Sequence, residues 1–177
     1  TSRLGLDTAL SEDVLKVGKR LVTKLWNAAR FAALQLDGFD ETPVDPAADV
    51  AAGIISQPLD LWILGRLAAT VERADASFAA YEYADAMEAT ERFFWADFCD
   101  NYLELVKARA YGEGGADEAG RRSARFTLWH CLDTVLRLFA PALPHVTEEL
   151  YAQILPGRFK AMSASQDQQP KKRPRRL

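Results

Sequence analysis

Over residues 14–34 the chain keeps a helical period without interruption. Val14, Val17, Leu21, Leu25, Ala28 and Ala32 recur at the three- and four-residue spacing of one helix face, and Val22, Trp26 and Ala29 widen it. Lys16, Lys19, Arg20, Lys24, Asn27, Arg30 and Phe31 fall on the opposite side, and no carboxylate interrupts the run. A helix of this kind must bury its apolar stripe, and a chain carrying several of them must pack them against one another.

Four more stretches repeat the pattern. The first helix is expected at about 11–36, with Ser11 as its cap and Glu12 and Asp13 in the first turn, where the helix dipole favours anions. Residues 37–56 mix prolines, glycines and acids and read as an exposed loop. A second helix is expected at about 57–80, with Ser56 as cap and Pro58 in the first turn. The third, about 82–110, carries Phe94, Phe98, Tyr102, Leu105 and Val106 as its apolar stripe. A glycine-rich break at 111–120 precedes the fourth, about 118–139, with Phe126, Trp129, Leu132, Val135, Leu136 and Phe139 inward. The proline-containing segment 141–144 stops it, and Thr147 is expected to cap a short fifth helix ending near Leu155. No run alternates as a strand does. The expectation is an all-α antiparallel bundle of about five helices over 1–157, with Trp26, Trp62, Trp95 and Trp129 as core anchors.

The chain of 177 residues is long enough for one domain with a true core. No apolar run approaches the roughly 20 residues of a membrane span. Two widely spaced cysteines, Cys99 and Cys131, form no disulfide framework or ligand pair, so a reducing cytoplasm is expected. The opening at Thr1 without a methionine suggests a piece cut from a longer chain. The net charge of −3 hides an asymmetry. Residues 1–157 hold 15 basic and 24 acidic side chains, whereas 158–177 hold seven basic and one acidic. That last stretch lacks periodic hydrophobics and reads as a disordered basic tail, a phosphate-binding or import segment, or an appended remnant.

The basic face of the first helix is the strongest functional signal. A charge run is ordinarily a solvated face. Phe31 and Asn27 are not needed for solubility, and a ring that can stack beside an amide and several cations suits single-stranded nucleic acid. The nucleic-acid candidates are therefore Lys16, Arg20, Lys24, Asn27, Arg30 and Phe31. Screening over about 8–10 Å lets a local basic face bind RNA on an acidic body. Asp97, Asp100 and Glu104, at i, i+3 and i+7, could gather a hard cation but read better as a solvated face. His130, Cys131 and His145 have no metal spacing, and the GEGG at 112–115 follows a helix and lacks the Lys-Ser/Thr of a phosphate loop. No catalytic or metal constellation is visible.

The phrases KLWNAARFAAL (24–34), PLDLWILGRL (58–67), FFWADFCDNYLELVKARAYG (93–112) and LRLFAPALPHVTEELY (136–151) together resemble the anticodon-binding bundle of the valyl-tRNA synthetase family, class I enzymes. The opening SRLGLDTALSEDVLKVGKRL resembles the join that follows the catalytic domain in some members. The resemblance implies a parent enzyme that joins valine to its tRNA with ATP and Mg²⁺. Its HIGH and KMSKS signatures would lie upstream, in a catalytic domain that would be a partner within the same chain. Neither signature is present, and the KAMSAS at 160–165 follows the bundle instead. The resemblance also implies that the first helix faces the anticodon, with Lys24, Asn27, Arg30 and Phe31 on the matching positions. Asp60 and Trp62 are read as packing positions. The expected partner is the anticodon stem-loop of valine tRNA, with no membrane and no cofactor held by the bundle itself. The alternatives are the same bundle from an isoleucyl or leucyl enzyme, or a helical protein-interaction module.

Overall fold

A computed structural model describes residues 12–37, 41, 43–112 and 117–155 of the chain. The expected cap Ser11, the KAMSAS stretch and the basic tail 158–177 lie outside the described residues, as do 113–116 of the glycine-rich break. The elements are α1 (Glu12–Leu36), α2 (Pro46–Ala51), α3 (Pro58–Ala79), α4 (Tyr83–Arg92), a π-helical stretch (Phe93–Tyr102), α5 (Leu103–Tyr111), α6 (Glu118–Phe139) and α7 (Pro144–Ile154). No strand occurs among the described residues, so the all-α expectation holds.

Among the described residues the count of about five helices is exceeded by one, because a short helix interrupts the expected loop. Asp45 accepts from the backbone N–H of Ala47 and Ala48 at 2.9 and 3.1 Å, and Pro46 occupies the first helical position. An Asp-Pro pair that reads as a breaker thus starts a helix. Two caps are also corrected. Gln57, not Ser56, occupies the cap of α3, and the Ser56 N–H goes instead to the Ser123 hydroxyl at 3.3 Å. α7 begins three residues before Thr147, whose hydroxyl donates back to the Leu143 carbonyl at 2.9 Å.

α6 runs through the middle of the bundle. Most of its length, including the whole run from Phe126 to Asp133, is buried, as a helix surrounded on all sides requires. Its start is tight: Gly120 gives its N–H to Asp117 at 2.7 Å, and a Cβ there would meet the same carboxylate at 2.8 Å. α4, the π-helical stretch and α5 form one continuous rod, ended by Gly112 in the left-handed region at φ +75°. Phe93, Phe94, Phe98 and Tyr102 of this rod are fully buried, and Phe94 meets Phe139 of α6 edge-on at 5.7 Å. The π widening places Phe93 and Phe98 on one side, with near-parallel rings and centroids 6.4 Å apart. Five residues on a regular α-helix would leave them about 140° apart.

A buried polar network locks three helices together. Asp60 of α3 is fully buried and accepts from the Tyr102 hydroxyl at 2.9 Å, from both terminal nitrogens of Arg109, and from the Ser123 hydroxyl. Every oxygen of that carboxylate has a partner, which is what makes a buried charge tolerable. Arg66 pairs with Asp97 further back along the rod, so α3 and the rod run antiparallel. A second buried contact, His130 Nε2 to Asp49 at 2.6 Å, ties α2 to α6.

Several apolar expectations are overturned. Leu21, Leu25, Ala28, Ala29 and Ala32 of α1 are buried as the periodicity demands, yet Val17 is exposed, because the first turns of α1 overhang the bundle. Leu105 is exposed too, rotated off the stripe below the π widening. Of the four tryptophans only Trp129 is buried; Trp26 and Trp62 are exposed and Trp95 is half-buried. An indole can stand at a helix edge with one face packed and one wet, and helical spacing alone does not distinguish that from full burial.

Candidate nucleic-acid interface

Lys16, Lys19, Arg20, Thr23, Lys24 and Asn27 of α1 line one side of an open groove of about 510 Å³, and Trp95 of the π-helical stretch forms part of its other wall. Their spacing along α1 repeats every three to four residues, so a single helix face delivers four cations, a hydroxyl and an amide to one surface. Lys16 is steadied by Asp13 at 3.1 Å in the turn before it. Lys24 is the link across the groove. Its ammonium sits 3.4 Å from Asp100 and 5.4 Å from the centre of the Trp95 ring. Both contacts are partly in water, where an exposed ion pair contributes about 0–1 kcal/mol and an exposed cation–π contact about 0.5–1 kcal/mol. Such ties hold a side chain in place without preventing its exchange.

Four of the six candidate residues therefore meet in one groove: Lys16, Arg20, Lys24 and Asn27. Arg30 does not join them. It lies in a separate groove of about 380 Å³ between α1 and α7, with Trp26 and Gln153. Phe31 was expected to project freely from the basic face; it is half-buried, packed against the core and edge-on to Tyr111 at 6.1 Å. The seven residues from Lys24 to Phe31 are about two helical turns, so the ring lies on the same face but beyond the groove.

Trp95 is the residue that sequence reasoning missed. On an α-helical wheel it shares a stripe with Cys99, Tyr102 and Val106, all of which are buried. The π-helical stretch rotates it off that stripe and towards α1.

The acidic triad diverges. Asp97 pairs with Arg66, Asp100 with Lys24, and Glu104 with Lys107. Among the described residues, no three His, Cys, Asp or Glu side chains are grouped to hold a metal ion. Burial pushes the Cys99 thiol up to about 12, with nearby Lys24 opposing, and raises Cys131 further. Protonated, enclosed thiols of this kind are poor nucleophiles. His145 is exposed. No helix among the described residues is long and apolar enough to cross a membrane.

An all-helical bundle that carries a cationic groove with an aromatic wall has the form of a nucleic-acid-binding module. The family described as the anticodon-binding domain of tRNA ligases matches residues 60–174, and the chain belongs to that family. Its relatives narrow the kind of ligase. The chain is 47% identical over 154 residues to the valine--tRNA ligase of Rickettsia typhi, an alignment that covers 87% of this chain and 19% of that protein. It is 49% identical over 155 residues to the same ligase of Rickettsia felis, covering 87% and 18%. It is 45% identical over 153 residues to that of Wolbachia sp. subsp. Brugia malayi, covering 86% and 17%. The chain thus spans about a fifth of the length of the curated relatives it matches.

Proposed function

We propose that the chain is the part of a valine–tRNA ligase that binds the anticodon stem-loop of its tRNA. The groove of Lys16, Lys19, Arg20, Lys24, Asn27 and Trp95 carries this reading, because it joins phosphate-binding cations to a stacking ring on one surface. The cations hold the loop backbone. Trp95 offers an aromatic face to an unpaired base, and Asn27 offers both a donor and an acceptor to a base edge. Arg30 and the Phe31–Tyr111 pair stand outside the groove and would contact flanking nucleotides. The bundle performs recognition alone. Valine activation, with ATP and Mg²⁺, belongs to a catalytic part of the parent protein outside this chain.

The decisive assay measures binding of the chain to valine tRNA and to the same tRNA with its anticodon bases replaced. Tighter binding to the native loop, lost on replacement, is expected. Equal binding to both, or to the stem alone, would leave a non-specific cationic surface. The chain by itself should not support valine-dependent exchange of pyrophosphate into ATP; exchange by the purified chain would refute the division of labour.

A further inference from the structure

Trp95 and Asp100 are five residues apart, and on a regular α-helix five residues turn the chain by about 140° off a shared face. Here they lie in a stretch whose hydrogen bonds run from residue i+5 to residue i. Leu103 N–H bonds to the Phe98 carbonyl in this pattern, and the Asn101 side chain reaches the Ala96 carbonyl at 2.7 Å over the same interval. That wider turn brings residue i+5 much nearer the face of residue i, to about 50° from it against about 140° on an α-helix. The result is visible in Lys24, whose single ammonium reaches both the Trp95 ring and the Asp100 carboxylate. The widening therefore builds a compound feature: an aromatic ring and an acceptor close enough for one ammonium to reach both, facing a cationic helix.

From this juxtaposition we infer that Trp95 and Asp100 form a base-selective subsite, which favours a base carrying an exocyclic amine over uracil. The inference rests on the RNA-binding reading and deepens it by naming what the groove discriminates. An ionised carboxylate only accepts hydrogen bonds. A base stacked on Trp95 with its C4 substituent towards Asp100 is held when that substituent is an amino group, as in cytosine, and is repelled when it is a carbonyl, as in uracil. Lys24 is the placeholder. With no RNA bound it neutralises Asp100 and covers the ring; when a base arrives, the ammonium moves to a phosphate and frees both. Asp100 stands beside the groove rather than in its lining, and it reaches the groove through Lys24.

The test uses the 177-residue chain and two hairpin RNAs with one stem, a loop of cytidines in one and uridines in the other. The native chain should prefer the cytidine loop roughly five- to tenfold, within the range of one ordinary net hydrogen bond, since Asp100 is exposed and its charge screened. Asp100→Asn, whose amide both donates and accepts, should bring the ratio close to one and leave uridine-loop affinity equal or higher. Asp100→Glu, still acceptor-only, should retain part of the preference. Trp95→Leu should weaken both loops alike. Equal binding of the two loops by the native chain, or an unchanged ratio in Asp100→Asn, overturns the subsite while the RNA-binding reading stands. Failure to bind either loop better than the stem alone also overturns the subsite; the RNA-binding reading falls only if the native valine anticodon stem-loop, run alongside, binds no better than the stem.

Discussion

Asp100 and Tyr102 stand two residues apart on the same π-helical stretch, yet they serve opposite kinds of polar contact. Tyr102 points inward to Asp60, in a network whose carboxylate is fully buried and whose donors come from three elements. Asp100 points outward to Lys24, and both side chains of that pair are partly in water. The inner network cannot open without stranding charges in the core, so it fixes where the rod sits against α3 and α6. The outer contacts cost little to break, so they can be traded for a ligand's phosphate and base. One rod thus holds its inner face rigid and keeps its outer face exchangeable.

The largest expected effect falls on the inner side. Asp60→Ala strands Arg109 and the Tyr102 hydroxyl, and should cost about 3–5 kcal/mol in urea unfolding. RNA affinity of the protein that remains folded should stay within about twofold, a change of less than roughly 0.5 kcal/mol. A cost below about 1 kcal/mol would remove the contrast, since the network would then behave as a surface pair.

Trp95→Ala should show the opposite balance. Anticodon-loop affinity should fall by about 1–3 kcal/mol, the scale of one base–aromatic stack. Unfolding should change by less than a fully buried ring's roughly 3–5 kcal/mol, because Trp95 is only half-buried. A full core-sized loss of stability with unchanged RNA affinity would return Trp95 to the interior.

Cys99 borders both regions, and its pH response tests how closed that border is. Burial raises its thiol from the ordinary 9 to about 12. The folded state therefore holds the proton more tightly than the unfolded one. Its contribution to stability is full below about 9 and is lost as pH rises towards 12. Alkaline melts should show stability falling by up to about 1.4 kcal/mol per pH unit for this one group. Cys99→Ala should flatten part of the slope. A slope that begins only above 12 would mean that other groups govern it.

The smallest stability effect belongs to Lys24→Ala, at less than about 1 kcal/mol. Its signature is electrostatic: RNA affinity should fall, and the dependence of log K on log salt should flatten by about 0.7 for one lost phosphate contact on single-stranded RNA. The Trp95 loss should persist at high salt, and the difference between the two variants separates stacking from charge.

Most of the architecture could be read from helical periodicity. The expected bounds of the long helices fall within a residue or two of those observed, and α6 buries every residue assigned to its stripe. The groove was legible in part, since a single regular helix carries Lys16, Arg20, Lys24 and Asn27 and a wheel places them correctly. Its other wall was not. A wheel drawn at 3.6 residues per turn assigns Trp95 inward, and only the wider π turn brings it out. Phe31 failed for a different reason: its neighbour Tyr111 lies at the far end of another helix, and sequence spacing carries no information about that contact. Asp60 looked like a packing position because its partners, Tyr102, Arg109 and Ser123, are distant in sequence.

The account's central claim is that the anticodon loop occupies the groove between α1 and Trp95. The four tryptophans supply four indole N–H signals, from one buried side chain and three at the surface or its edge. Each is assigned by single Trp→Phe replacement and followed by NMR while the valine tRNA anticodon stem-loop is added. The Trp95 signal should shift most, and Trp129, enclosed in α6, should stay in place. A Trp95 signal that remains unmoved at saturating RNA, while Trp62 on the outside of α3 shifts, would contradict the claim.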